Sequence, residues 1–338
     1  MKGSFIFFWF LYFILLQNNY CELFMTATST NSAISNSNKK RVLITGSNGL
    51  LGQKLVELLC QNSSIQTIAT ARGDNRLPFT DSYDYHAMDI TDPHQIETVI
   101  ALTKPDVIIH TAAMTNVDQC EMQKEACWKQ NVTAVEFLVE ACKNHNIFLV
   151  HVSTDFIFDG KAGPYTEEAK PNPISFYGWS KYAAEKAVIH SDIKWAIART
   201  VLVYGIAHDM SRSNIILWVK KSLEEGKNIQ VVTDQFRTPT LAEDLAQGCF
   251  LIADQEAEGI FNISGKELYT PYEMAITAAD YFGLDKSLIS QTDASAFSQP
   301  AKRPPRTGFD LTKSENVLGY KPHSFLEGIA LLATQIGA

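Results

Sequence analysis

The sequence predicts an open α/β fold, a doubly wound parallel sheet with a small mixed lobe built from residues 206–338. Two observations carry the expectation. The apolar run Val42-Leu43-Ile44 fits a strand buried on both faces, stops at a glycine-spaced turn, and is followed at once by a helical apolar pattern from Leu50 to Leu59. Short apolar runs then alternate with helix-period stretches as far as Thr200, the order that builds parallel sheets. With 338 residues and 46% hydrophobic content, the chain is long enough to bury a large core.

The turn Gly46-Ser47-Asn48-Gly49-Leu50-Leu51-Gly52 is where a dinucleotide would sit, making residues 41–205 a Rossmann-type domain. Gly46 permits the tight turn, Gly49 lets backbone approach a pyrophosphate, and Gly52 lets helix and strand pack closely. Asn48 and Leu50 flank the helix start, whose unpaired N–H groups favour phosphate. The spacing is GxxGxxG rather than GxGxxG, and glycines also simply end strands, so the rest of the chain must decide.

The net charge of −8 gives no basic field, which argues against nucleic acid as a partner. Six cysteines (Cys21, Cys60, Cys120, Cys127, Cys142, Cys249) form no CxxC pair, so neither a metal site nor a disulfide framework is indicated. Scattered thiols suit a cytoplasmic protein. Against this stands Phe5–Leu16, an apolar run preceded by Lys2 that resembles a signal-peptide core yet is short for a bilayer span. Met25 then opens a polar leader to Lys40. Either translation begins at Met25 or residues 1–24 form a short membrane anchor or an uncleaved signal, with membrane contact only in the second case. The internal start is favoured, because an enzyme drawing on cellular dinucleotide faces the cytoplasm.

Taken in order, Gln66–Thr70 reads as the second strand and ends at Arg72, with no acid before Asp74. An acid there would take a ribose 2′-hydroxyl and an arginine a 2′-phosphate, so the expectation is NADPH over NADH; the alternative is a solvent-facing loop arginine. Tyr83–Met88 reads as a third strand. At its exit Asp89 and Ile90 would lie beside adenine, or Asp89 would merely polarise the turn; Thr91 or Asp92 then caps a helix with Pro93 in its first turn. Val107–His110 is a fourth strand, and Ala112 and Ala113 after it are small enough for a cofactor to lie against the backbone. A single crossover helix is expected over Gln123–Asn144. His110 and His151, at strand ends, read as ordinary hydrogen-bonded histidines rather than ligands. Phe148–Val152 is a fifth strand, leaving Ser153-Thr154-Asp155 at the ligand-binding edge.

Tyr177 and Lys181, four apart, share one helix face. A free tyrosine, with a pKa of about 10, is a poor acid–base group at neutral pH. An adjacent ammonium would lower that value, letting Tyr177 protonate a carbonyl oxygen as hydride reaches its carbon. Lys181 would also hold nicotinamide ribose hydroxyls, and Thr154 would hydrogen-bond the same carbonyl oxygen. Tyr182 and Lys186 repeat the spacing, so Thr154 upstream is what discriminates.

These residues resemble the extended short-chain dehydrogenase/reductases, and most of all the dTDP-4-dehydrorhamnose reductases, whose STD-aromatic-hydrophobic-F-x-G hallmark matches Ser153–Gly160. The resemblance runs from about Arg41 to near the C-terminus, through Asp118, Arg199-Thr200, Asp234-Gln235, Asp244-Leu245-Ala246, Phe261–Gly265 and Arg303-Pro304. It implies reduction of a nucleotide-linked 4-keto-6-deoxy sugar with NADPH or NADH, with Thr154, Tyr177 and Lys181 catalytic and Phe156, Leu202, Asn214 and Arg303 on the sugar-nucleotide side. Two positions depart from the pattern: Phe156 stands where the family usually has tyrosine, and Leu202 where it often has tryptophan. The chain also resembles the regulatory β subunit of methionine adenosyltransferase, a non-catalytic NADP-binding partner, and an NAD-using epimerase shares the Tyr/Lys pair. Oligomeric state is open, a homodimer included. In the C-terminal part, Asn214–Leu223, Thr240–Ile252, Tyr272–Tyr281, Leu311–Leu318 and Phe325–Leu332 are expected as helices, the second packing back on the sheet, and Ile229–Val232 and Gly259–Ile263 as short strands of the lobe.

Overall fold

The computed structural model describes residues 39–208 and 214–337; Phe5–Leu16, Met25 and the leader up to residue 38 lie outside the described residues. The strands are β1 (Lys40–Thr45), β2 (Ile65–Ala71), β3 (Asp84–Ala87), β4 (Val107–His110), β5 (Phe148–Thr154), β6 (Trp195–Thr200), β7 (Val203–Tyr204), β8 (Ile229–Val232), β9 (Thr240–Leu241), β10 (Gly259–Asn262) and β11 (Ile289–Thr292). Lys40 thus belongs to β1 rather than to the leader. Seven strands make one parallel sheet in the order β10-β6-β5-β4-β1-β2-β3, while β7 pairs with β9 and β8 with β11.

The helices are α1 (Leu50–Cys60), α2 (Pro93–Thr103), α3 (Val117–Met122), α4 (Lys124–Trp128), α5 (Ala134–His145), α6 (Phe176–Ile189), α7 (Ile215–Glu224), α8 (Ala242–Gln255), α9 (Pro271–Tyr281), α10 (Thr312–Leu318) and α11 (Phe325–Gln335). The strand period of two sorts β1 onto two helical layers. Val42 and Ile44 pack with Leu55, Leu59, Cys249 and Ile252 of α1 and α8, whereas Leu43 packs with Ile96, Ile100, Leu138 and Val188 of α2, α5 and α6. Truncating one of these buried aliphatics to alanine costs roughly 2–5 kcal/mol. At α2 the cap is Asp92, whose carboxylate accepts from the N–H groups of His94 and Gln95, with Pro93 first in the helix.

Two expectations change. The crossover helix is broken: Gln123 leaves helical geometry between α3 and α4, and a π-turn over Lys129–Thr133 precedes α5. The local reason is Asn131, which the extra residue turns inward, so that its Oδ1 accepts from the Met114 N–H at 2.7 Å and its Nδ2 donates to the Met114 carbonyl and to Ser180 Oγ, each at 3.0 Å. The strand Gly259–Asn262 is the seventh strand of the main sheet, pairing Ile260 with Ile197, because Phe261 completes the core layer under α8. Residues 206–338 are therefore not wholly outside the sheet. The remainder closes its own core, in which Ile216, Val219, Ile229, Met274 and Ile329 pack together with Tyr204 of β7.

The sheet order reverses at β1, which has β2 on one side and β4 on the other. Connections leave in opposite directions there, opening a crevice beyond the C-terminal ends of the strands.

Candidate active site

The crevice begins at the glycine turn. Gly46 has φ +73°, and a Cβ there would stand 2.9 Å from the backbone of Ala112; a Cβ on Gly52 would stand 2.3 Å from the Gly46 carbonyl oxygen. These two positions have no room for a side chain. Helix α1 starts at Gly49 with no side-chain cap and no acid in its first turn, so its positive end is left to the crevice. Asn48 ties the turn to the loop after β2: its Nδ2 donates to the Asp74 carbonyl at 2.8 Å and its Oδ1 accepts from the Arg76 N–H at 3.0 Å. That loop holds Arg72, exposed, at the mouth.

A cavity of about 700 Å³ runs from this turn across the ends of β1, β4 and β5. Gly46, Gly49, Leu50, Gly52, Arg72, Ile90, Ala112 and Ala113 line one part of it, and Thr154, Phe156, Tyr177, Lys181, Leu202 and Arg303 the other. Asn48 and Asn214 line an adjoining cavity of about 860 Å³ that shares Arg72 and Leu202. Asp89 lines neither cavity, although its neighbours Met88 and Ile90 line the first; its carboxylate accepts from the N–H and hydroxyl of Thr91, both at 2.9 Å, which is the turn-polarising alternative. A dinucleotide fits what is here: a backbone cradle without side chains, an uncapped helix end and a cationic mouth.

Tyr177 sits in the first turn of α6. Ser175 caps that helix by accepting from the Gly178 N–H at 3.2 Å, and a Cβ on Gly178 would stand 2.2 Å from the Phe156 carbonyl oxygen. Glycine there lets α6 dock on the end of β5, which brings the Tyr177 ring edge-on to Phe156 at 5.7 Å. Behind it, Ser180 Oγ donates to the Tyr177 carbonyl at 2.7 Å and accepts from Asn131, so the π-turn braces the helix. The Thr154 hydroxyl donates to Asp155 Oδ1 at 3.0 Å and accepts from the Phe156 N–H at 3.2 Å. Lys181 Nζ donates to the Val152 carbonyl at 2.7 Å and lies 3.2 Å from His151 Nε2.

Electrostatics correct one expectation. Burial pushes the Tyr177 phenol above its ordinary range; hydrogen bonding with Thr154 opposes this, and Asp155, Cys120 and Cys127 reinforce it. The ammonium of Lys181 does not offset that burial, because it points to Val152 and His151. The phenol is therefore held protonated, the state that a proton donor needs. Lys181 is itself lowered to about 8, by burial, with Glu185 and Cys127 opposing.

On the far wall, Arg303 forms a two-point ion pair with Asp118, at 2.7 and 3.2 Å. Asn214 caps α7 through the Leu217 N–H and donates to the Gly205 carbonyl at 2.8 Å. Leu202 holds φ +32° and is 43% exposed, an apolar side chain presented to the cavity from a strained backbone. Three residues given no role from sequence also meet here. Asp155, buried, accepts from Thr307 Oγ1, and Arg237 Nε lies 3.8 Å away while its Nη2 donates to the Pro304 carbonyl at 2.7 Å. Burial raises the Asp155 carboxyl above its usual range, against the pull of Arg237 and Thr307. Asp155 was visible in the STD segment; Arg237 and Thr307 are linked to it only by tertiary structure.

The family described as RmlD substrate binding domain matches residues 40–337. The chain is 32% identical over 297 residues to dTDP-4-dehydrorhamnose reductase of Aggregatibacter actinomycetemcomitans, covering 83% of this chain and 94% of that one. It is also 32% identical over 285 residues to methionine adenosyltransferase 2 subunit beta of Xenopus tropicalis, covering 82% of each. Among solved structures, dTDP-4-dehydrorhamnose reductase from Bacillus anthracis in complex with NADP superimposes with a TM-score of 0.75 at 28% identity, over 88% of this chain and 99% of the other.

Proposed function

Because the chain belongs to the RmlD substrate binding domain family, we propose that it reduces the C4 carbonyl of a nucleotide-linked 4-keto-6-deoxy sugar, with dTDP-4-dehydrorhamnose as substrate and dTDP-rhamnose as product. The chain is an oxidoreductase and its cofactor is NADPH. The observation that carries the substrate reading is the meeting of Thr154, Tyr177 and Lys181 at the end of a cavity whose other end is the glycine turn.

NADPH, when bound, supplies the hydride that reduces the carbonyl carbon. The α1 N-terminus and Gly46–Gly52 would hold its pyrophosphate, Arg72 its 2′-phosphate, and the N–H of Lys181 left over from Val152 and His151 a ribose hydroxyl. Tyr177, held protonated by burial, gives its proton to the carbonyl oxygen. Thr154 orients that oxygen once its hydroxyl turns from Asp155, which shifts its hydrogen bond onto the developing alkoxide. Arg303, held by Asp118, faces the diphosphate of the sugar nucleotide, with Phe156, Leu202 and Asn214 around the sugar and base. Of these, Asn214 and Arg303 come from residues 206–338.

A second reading, a cofactor-binding regulatory subunit, is supported by the equal identity to methionine adenosyltransferase 2 subunit beta and by Phe156 and Leu202, which remove a hydroxyl and a stacking surface. One experiment separates the two. The purified full chain is mixed with NADPH and dTDP-4-dehydrorhamnose generated in situ, and loss of the reduced-nicotinamide absorbance is followed. Oxidation that depends on the sugar nucleotide is expected; tight NADPH binding by calorimetry without oxidation would replace this reading with the second.

A further inference from the structure

Lys181 rests on a stacked histidine pair, of which the cofactor reading uses only the His151 contact. His110 and His151 are register partners across β4 and β5, and their rings stack at 5.3 Å with 25° between planes. Both are buried, at 2% and 0% exposure. His110 Nδ1 lies 2.7 Å from Thr45 Oγ1, and His151 Nε2 lies 3.2 Å from Lys181 Nζ. His151 Nδ1 meets no partner among the described residues.

The donor count fixes the roles. An ammonium only donates, so Nε2 accepts from it, which puts the imidazole proton on Nδ1, where nothing receives it. A buried N–H without an acceptor is unfavourable, and an aromatic hydrocarbon would keep the stack without it. What histidine adds is the Nε2 lone pair beneath Lys181. With the Val152 carbonyl it engages two of the three ammonium N–H bonds, leaving the third to the cavity. Other groups near the ammonium do not take this place. Glu185, on the same helix, is paired with Arg199 of β6 at 2.8 Å; Cys127 of α4 contacts Ser180 at 3.4 Å; Asp155 faces Thr307 and Arg237; and Tyr177 lies toward the cavity. His110 and His151 are both kept uncharged by burial, with Lys181 itself opposing their protonation.

We propose that His151, stacked on His110, is a positioning residue: an uncharged imidazole acceptor that anchors the Lys181 ammonium with its third N–H toward the cofactor ribose. The inference rests on the cofactor role assigned to Lys181 above and is independent of the sugar. Removing the acceptor favours the neutral amine, so the pH at which Lys181 stops supporting cofactor binding moves down.

The test uses the full chain with His151→Phe, which keeps a ring on His110 but no lone pair, and His151→Gln, whose Oε1 can accept in place of Nε2. NADPH fluorescence titrations across pH are read without any sugar present. In His151→Phe the affinity at neutral pH should fall roughly tenfold, and the alkaline loss of binding should move down by about one pH unit. His151→Gln should restore most of both. An unshifted alkaline limb in a folded His151→Phe, or a folded His151→Gln as impaired as Phe, would overturn the proposal. If neither variant folds, ¹⁵N-histidine NMR of the unmodified chain decides: protonated Nδ1 and bare Nε2 are expected, and the opposite tautomer rejects the anchor. A chain that shows the pH shift but turns over no keto sugar rejects the reductase reading and leaves this one standing.

Discussion

The two ends of the cavity are built by different means. At the end proposed for the dinucleotide the floor is backbone, within the seven residues Gly46–Gly52, and the determining facts are a positive φ and the lack of room for a Cβ. At the sugar end the wall is made of side-chain pairs that are remote in sequence: Asp155 with Thr307, 152 residues apart, and Asp118 with Arg303, 185 apart. Backbone cradles are written locally, because glycine conformation is local. Charged walls exist only once the chain has folded, and they are the part of the site that differs most readily between relatives of one fold. Tyr177, Thr154 and Lys181 stand at the junction, fixed by β5 of the main sheet and by α6, which packs against it.

The sharpest way to divide the two ends is Tyr177→Phe. It removes the proposed proton donor and touches neither the glycine turn nor the Arg303 wall. Turnover should fall by roughly 10²–10⁴-fold while NADPH affinity stays within about threefold, read by steady-state kinetics and calorimetry. Equal loss of binding and turnover would mean that the phenol is structural and that the junction is misassigned.

Asp155→Ala attacks the sugar end. It strands the buried Arg237 guanidinium and frees the Thr307 and Thr154 hydroxyls, so urea unfolding should show a loss of about 3 kcal/mol, the low end for breaking a buried pair because the contact is 3.8 Å long. The glycine turn should keep its NADPH affinity in the folded fraction. A variant as stable as the parent would show that the wall does not depend on this carboxylate.

What the sequence disclosed follows the same division. The strand–turn–helix at Val42–Leu59, the Asp92–Pro93 start of α2, and the Tyr177/Lys181 face were all legible, because each is a matter of period, cap or spacing over a few residues. The resemblance tipped Arg303 toward the ligand, and its partner Asp118 was seen without the pairing. The π-turn at Lys129–Thr133 left no mark, since Asn131 turns inward for Met114 and Ser180, contacts that appear only after folding. Gly259–Asn262 was legible as a strand but not as a member of the main sheet, because four residues carry no address. The direction of the Tyr177 shift was missed for a related reason: spacing puts Lys181 beside Tyr177 on the helix, but the ammonium turns to groups on β5.

The histidine stack lies under the junction and tests whether it is coupled to stability. Burial holds His110 down to about 3, against an ordinary value of 6.5. Between those values the unfolded chain takes a proton that the folded chain refuses, so stability is full above about pH 6.5 and falls as pH drops toward 3, by at most about 1.4 kcal/mol per unit. His110→Leu should flatten that part of the stability profile in urea melts at successive pH values. An unchanged slope would place the acid sensitivity elsewhere.

Arg72→Ala is the mildest test and bears on the dinucleotide end alone. Arg72 is exposed, so solvent screens its charge and the effect is modest. Asn48 holds the loop by its backbone, at Asp74 and Arg76, so the loop should stay in place when the Arg72 side chain goes. What is lost is then one charge facing a 2′-phosphate that NADPH has and NADH lacks. NADPH should weaken by roughly fivefold to tenfold with NADH almost unchanged, and raising the salt concentration should shrink the difference. If both cofactors weaken alike, Arg72 supports the loop rather than reading the phosphate, and the cofactor preference rests on another group at the mouth.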